Sequence, residues 1–142
     1  QFRFFSRGDD YLDLRNMVRF TEKTIWDALE ESGIKYVDWA VRKEAVDGKT
    51  ILHLYLELDQ AEKSSLTILK KKIKKALIKV NPEFGDMEKI MGDDYLLITK
   101  LPSGAFKNYI QSQRDAGADF AHIKPPHMQP KDHQLEKLIK IG

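Results

Sequence analysis

Apolar and polar residues alternate over Tyr11-Leu12-Asp13-Leu14, the period of two that a half-buried strand requires. Further on, Ile25, Trp26 and Leu29, with Phe20 one turn earlier, fall on one helical face; Thr21 can cap that helix and Ser32-Gly33 can close it. Two longer alternating stretches follow, Tyr36 to Val46 and Lys49 to Leu58. Asp47-Gly48 stands between them, a dipeptide that tolerates the positive φ of a tight hairpin turn. In the second stretch Leu52, Leu54, Leu56 and Leu58 share one face and His53, Tyr55 and Glu57 the other, while Val37, Trp39 and Val41 form the matching inward set of the first.

The spacing of Leu66, Leu69, Ile73, Ala76, Leu77 and Val80 predicts a helix opening at Asp59 and running to about Lys79, with Asn81-Pro82 ending it. Residues 83 to 92 read as an ambiguous stretch with a helical turn before Gly92. Tyr95 to Leu101 reads as a strand, Pro102-Ser103-Gly104 as the start of a helix through about Asp115, and Gly117 as its stop. Ala118 to Pro130, with Pro125, Pro126 and Pro130, reads as loop, and a short amphipathic helix carrying Leu135, Leu138 and Ile139 completes the chain. The expected fold is α+β: a βαββαβ-like mixed sheet of the split βαβ kind, with two main helices packed on one face plus C-terminal helices. That topology carries no function by itself.

Composition sets limits on the chemistry. The chain has 142 residues, one domain's length, and its 42% hydrophobic content can fill a core that buries about two thirds of the unfolded surface. Its 24 basic and 22 acidic residues leave a net charge of +2, so attraction of polyanions by bulk charge is excluded and any basic patch must be local. With no cysteine there is no disulfide framework, thiolate metal site or cysteine nucleophile. The longest apolar run is Tyr95 to Ile98, against the roughly 20 residues of a spanning helix, and Gln1-Phe2-Arg3-Phe4-Phe5 lacks the apolar core of a signal peptide. The expectation is a soluble, cytoplasmic protein. It begins at Gln1 without a methionine, as a chain processed or excised from something larger would.

The candidate chemistry is sparse. Lys70, Lys71, Lys72, Lys74, Lys75 and Lys79 occupy the polar arc of one helix, which is either a solvated face or a phosphate-binding surface for RNA or acidic lipid. An RNA-recognition sheet of this topology needs aromatic residues on the outer face of its third strand, where this chain has His53, Tyr55 and Glu57. Of the four histidines, His122 and His127 are five apart in a proline-rich stretch, with no zinc spacing completed. Nucleophile elbow, phosphate-cradling glycine loop and dinucleotide fingerprint are all missing. Two places depart from a purely structural pattern. Lys124 precedes Pro125-Pro126, which biases it to an extended backbone and presents its ammonium from a stiffened loop. Ser6-Arg7-Gly8-Asp9-Asp10 is a polar run between an aromatic segment and the first strand, as a hinge would be.

Taken in order, Arg7-x-Asp9-Asp10 before a strand and helix, the Asp47-Gly48 hairpin, Leu101-Pro102-Ser103-Gly104-Ala105-Phe106, and Gly117-Ala118 leading to Lys124-x-Pro126 make nearly the whole chain similar to one known domain. It resembles the C-terminal domain of the acyl acid-amido synthetases, the auxin-responsive-promoter family of plant auxin- and jasmonate-conjugating enzymes with bacterial relatives, within the acyl-adenylate-forming superfamily. The resemblance implies a ligase that uses ATP and Mg2+ to adenylate a carboxylic acid and then passes the acyl group to an amine, usually an amino acid. It implies that residues 1–10 are an interdomain hinge remnant and 11–142 a mobile lid, partnered by a large N-terminal adenylation domain that holds most of the ATP, with neither nucleic acid nor membrane as partner. Lys124 falls on the lid lysine that meets the α-phosphate and carboxylate oxygens, Arg7 on the hinge arginine near the nucleotide, and Asp9 on or beside the pivot. The chain departs from the family at Ser6, where glycine is usual, and at His127, where arginine often follows the Lys-x-Pro proline.

Overall fold

The computed structural model describes residues 11–14, 18–46, 48–91, 95–119 and 123–140. In chain order the elements are β1 (Tyr11–Leu14), β2 (Val18–Thr21), α1 (Glu22–Ser32), β3 (Tyr36–Val46), β4 (Lys49–Leu58), α2 (Leu66–Val80), α3 (Glu83–Met91), β5 (Leu96–Lys100), α4 (Ala105–Asp115) and α5 (Asp132–Lys140). The class is α+β, and the central sheet is mixed in the order β3-β4-β5, with β3 antiparallel and β5 parallel to β4. The β3–β4 hairpin has the expected register, Val46 opposite Lys49, with Gly48 at φ +77°. Only a residue without Cβ takes that conformation freely.

Local chemistry accounts for the element boundaries. Thr21 accepts a hydrogen bond from the Thr24 N–H and caps α1; Gly33, at φ +76°, ends it by returning its N–H to the Glu30 carbonyl. Within α1 the buried Ile25, Ala28 and Leu29 lie one turn apart. Trp26, expected on the same face, is 42% exposed because it lies at the margin of the apolar stripe. The second helix starts at Leu66 rather than Asp59: the Ser65 hydroxyl accepts the Ile68 N–H, while Asp59 instead accepts the Ala61 N–H in a local turn. Leu66, now in the first turn, is exposed, and the buried row is Leu69, Ile73, Ala76 and Leu77. The ambiguous stretch after Pro82 resolves into α3, entered where Asn81 accepts the Glu83 N–H.

The arrangement adds to the expected sandwich in two respects. Among the described residues β1 pairs with an additional short strand, β2, in a separate antiparallel ribbon rather than lying in the main sheet. Phe20 belongs to that ribbon and stacks on Phe84 of α3 at 4.4 Å between ring centroids. Secondly, both faces of the sheet are covered. Trp39, Val41, Leu52, Leu54, Leu56, Leu96 and Ile98 meet α1 and α2 on one side, while Ala40 and Tyr55 meet Ala105, Phe106 and Tyr109 of α4 and Leu135 and Leu138 of α5 on the other. Ile139 stays half exposed at the edge of that second layer. In β3 the inward set begins at Trp39, because the register slips between Tyr36 and Asp38; the irregularity turns Tyr36 toward the core and leaves Val37 outside, 53% exposed.

Glu57 shows how the second layer is fixed. Its carboxylate, 3% exposed on β4, accepts the backbone N–H of Gly104 at 2.8 Å and of Phe106 at 2.9 Å. It therefore terminates the N-terminal end of α4, where amide donors lack helical partners and the helix dipole favours an anion. Gly104 permits the approach at φ +85°. Replacing Glu57 by Ala should cost about 2 kcal/mol in urea unfolding, and Glu57→Gln, which keeps one carbonyl acceptor, clearly less. Equal losses in the two variants would mean that the anion itself, and not merely an acceptor of that size, holds α4.

Candidate functional site

Lys124 is exposed, as a cation offered to a ligand must be. The backbone on its C-terminal side is firmly held. Pro125 is buried, and from His127 onward the backbone joins the free edge of β3: the Val41 N–H donates to the His127 carbonyl at 2.7 Å and the Gln129 N–H to the Val41 carbonyl at 2.8 Å, a parallel bridge between Val41 and Met128. The Gln129 side-chain carbonyl accepts the Lys43 N–H at 2.8 Å. The loop is thus bridged to the sheet edge at one residue.

His127 is the densest contact in this segment. Its Nδ1 lies 2.6 Å from Oε2 of Glu22, the first residue of α1, and its Nε2 lies 2.7 Å from Oδ1 of Asp38 on β3. The imidazole stacks on Trp39 at 4.3 Å and meets the edge of Trp26 at 5.3 Å. Burial favours the neutral ring, but hydrogen bonds to Asp38 and Glu22 and their negative charges outweigh it, so the His127 pKa is raised above its ordinary value. Both ring nitrogens are occupied by carboxylates, which leaves no lone pair for a metal. Among the described residues no group of three His, Asp or Glu side chains is arranged to hold a metal ion.

A second polar cluster lies beneath α5. Glu44 receives the Tyr55 hydroxyl at 2.6 Å, Arg42 Nε at 2.7 Å and His53 Nδ1 at 2.7 Å; His53 Nε2 meets the Thr99 hydroxyl at 2.6 Å, and Arg42 Nη1 continues to Asp132 at 2.6 Å. This network ties β3, β4 and β5 to the start of α5. Burial alone would raise the Glu44 pKa, but hydrogen bonds from His53, Tyr55 and Arg42 overcome it and hold the carboxyl down at about 2. On the Tyr55 hydroxyl, burial and the bond to Glu44 act together and push its pKa upward.

The lysine face of α2 is partly used within the molecule. Lys79 pairs with Glu31 at 2.8 Å and Lys74 lies over the Tyr95 ring at 5.2 Å from its centroid, while Lys71, Lys72 and Lys75 are exposed. The His53, Tyr55 and Glu57 face, which an RNA platform would leave open, lies under α4 and α5.

Of the residues singled out in the sequence, Lys124 is placed on the surface; Arg7 and Asp9 lie outside the described residues. The Glu22, Asp38 and Trp39 partners of His127 are 105, 89 and 88 positions away, so no local motif could have announced them. The single clue was the histidine standing where the resembling family often has arginine. No helix among the described residues is long and apolar enough to cross a membrane.

No profile of a known protein family matches the sequence, and no curated protein matches it either. Solved structures do. The chain is similar to a GH3.15 acyl acid amido synthetase with TM-score 0.66 and 15% identity, over 86% of this chain and 24% of that one. A structure described as AtGH3.15 acyl acid amido synthetase in complex with 2,4-DB matches with TM-score 0.58 and 17% identity, over 82% of this chain and 22% of that one. At such identities the likeness is one of fold. The chain spans about a quarter of those enzymes, at 24% and 22% of their length.

Proposed function

We propose that this chain is the C-terminal mobile domain of a cytoplasmic, ATP-dependent acyl acid-amido synthetase, which adenylates a carboxylic acid and then forms an amide with an amino acid. The observation that carries the reading is the fold match to about a quarter of two amido synthetase structures, with 86% of this chain superposed in the first. Residues 11–142 are then the lid and residues 1–10 the remnant of its hinge, with Arg7 near the nucleotide and Asp9 at the pivot. The partner is an N-terminal adenylation domain, and without it the chain is inactive. ATP would supply the adenylyl group and Mg2+ would neutralise charge on its phosphates, both held mainly by that domain; this chain contributes the exposed cation at Lys124.

Lys124 carries the chemistry of the lid. When the carboxylate oxygen attacks the α-phosphorus and pyrophosphate departs, two anions share one transition state. An ammonium brought against the α-phosphate and carboxylate oxygens stabilises that arrangement more than either ground state. Lid rotation then withdraws it, opening the acyl carbon to the amine nitrogen while AMP leaves. The test is carboxylate-dependent exchange of pyrophosphate into ATP by the protein that carries this chain. Exchange that vanishes without an acid and collapses with Lys124→Ala supports the reading; exchange indifferent to either overturns it.

The competing reading, a free-standing binding module for RNA or acidic lipid, draws on Lys71, Lys72 and Lys75 alone. The pairing of Lys79 with Glu31 and the seat of Lys74 on Tyr95 give this helix face intramolecular work, which makes it the lesser reading.

A further inference from the structure

His127 is three residues beyond Lys124 and is bound to two elements at once, α1 through Glu22 and β3 through Asp38. A neutral imidazole has one N–H and can donate to only one of these carboxylates, leaving a lone pair facing the other; only the imidazolium satisfies both. The titratable groups in contact with the ring are those two carboxylates, one from each packed element, and its faces and edges are otherwise lined by Trp39 and Trp26. The backbone of the same segment has its ladder to Val41 only from His127 onward, so the anchor nearest Lys124 on the C-terminal side is buried Pro125 followed by this ring.

We infer that His127 is the positioning residue for Lys124: held as an imidazolium between Glu22 and Asp38, it pins the Lys124-Pro125-Pro126 segment to α1 and β3 and so fixes where the ammonium is presented. The inference rests on the assignment of Lys124 to the adenylation step. Its direction with pH follows from the raised pKa of His127. The stabilisation is complete below the ordinary histidine value and is lost as pH rises through the higher value of the folded state, so the segment loosens on the alkaline side.

The chain has no cysteine and two tryptophans, both against His127, which makes two direct readouts available. A spin label on Lys124→Cys should be immobile near neutral pH and become mobile through a transition above the ordinary histidine value, with tryptophan emission moving in step as the imidazolium loses its proton. His127→Gln should leave the label mobile at every pH. His127→Arg, whose guanidinium also bridges two carboxylates, should keep it immobile at every pH. Should His127→Gln not fold, Glu22→Gln, at a half-exposed position, removes one anchor and should shift the transition to lower pH. A label indifferent to these changes overturns the inference.

The enzyme assay separates the two proposals. In the protein that carries the chain, His127→Gln should lower kcat for pyrophosphate exchange about 10- to 100-fold with little change in KM, and His127→Arg should restore it. Exchange lost with Lys124→Ala but unchanged with His127→Gln overturns the positioning role and leaves the Lys124 assignment standing. Exchange unchanged with Lys124→Ala overturns that assignment and the positioning role together, even if the label responds.

Discussion

Lys124→Ala, made in the protein that carries this chain, is expected to lower acid-dependent ATP–pyrophosphate exchange by about 100-fold or more while leaving amide formation from a supplied acyl adenylate much less affected. The magnitude follows from removing one preorganised charge from a transition state in which carboxylate and phosphate approach each other, worth about 2.7 kcal/mol or more in comparable sites. The asymmetry between half-reactions follows from the second step, in which a neutral amine attacks an acyl carbon and the lid cation is no longer opposite developing charge. Lys124→Arg should recover little, because a planar fork does not reproduce a compact ammonium on an extended backbone. The folded state should be indifferent to all of these changes, since Lys124 is exposed. Equal losses in both half-reactions would instead point to a general role in binding nucleotide.

Glu44→Ala should cost about 3 kcal/mol or more of stability, measured by urea unfolding near neutral pH, because it strands a charged and two polar partners in one stroke. Arg42 Nε, the Tyr55 hydroxyl and His53 Nδ1 all converge on this carboxylate, which is 21% exposed, and Arg42 is the link from it to Asp132 at the start of α5. Loss of Glu44 should therefore also loosen α5, visible as faster amide exchange at Leu135 and Leu138. The pH dependence has a definite sign. The carboxyl is held at about 2 against an ordinary 4.5, so its contribution is complete above the ordinary value and is lost as pH falls toward the lower one. A Glu44→Gln variant should thus be less stable than the parent near pH 6 and converge with it near pH 2. A constant gap across that range would mean that the ionisation of Glu44 is not the source of its contribution.

The residues that read correctly from the chain are those whose structural cause is local. Thr21 and Gly33 delimit α1 because a hydroxyl and a missing Cβ act on the nearest turn of backbone, and the Leu52-Leu54-Leu56 row faces the core because strand side chains alternate. The α+β class and the mixed sheet follow from elements of that kind. Where a contact the spacing does not show competes with the pattern, the pattern misleads: Val37 is turned outward by a slip in register, and a local hydroxyl cap at Ser65 rather than Asp59 opens α2.

The same division runs through the candidate site. By its own order the sequence determined that Lys124 stands before two prolines on a stiffened, solvent-reaching segment, and that no cysteine, metal cluster spacing or glycine-rich phosphate loop accompanies it. Only the tertiary structure decided what that segment is held by. Residues 22, 38, 39 and 127 converge because α1, β3 and the tail are brought together by burial of their apolar faces, a collective effect with no signature in the spacing of the four. The electrostatics of His127 belong to that second class as well: an imidazole in isolation is poised near neutrality, and it is the pair of carboxylates delivered by folding that raises its pKa above the ordinary value.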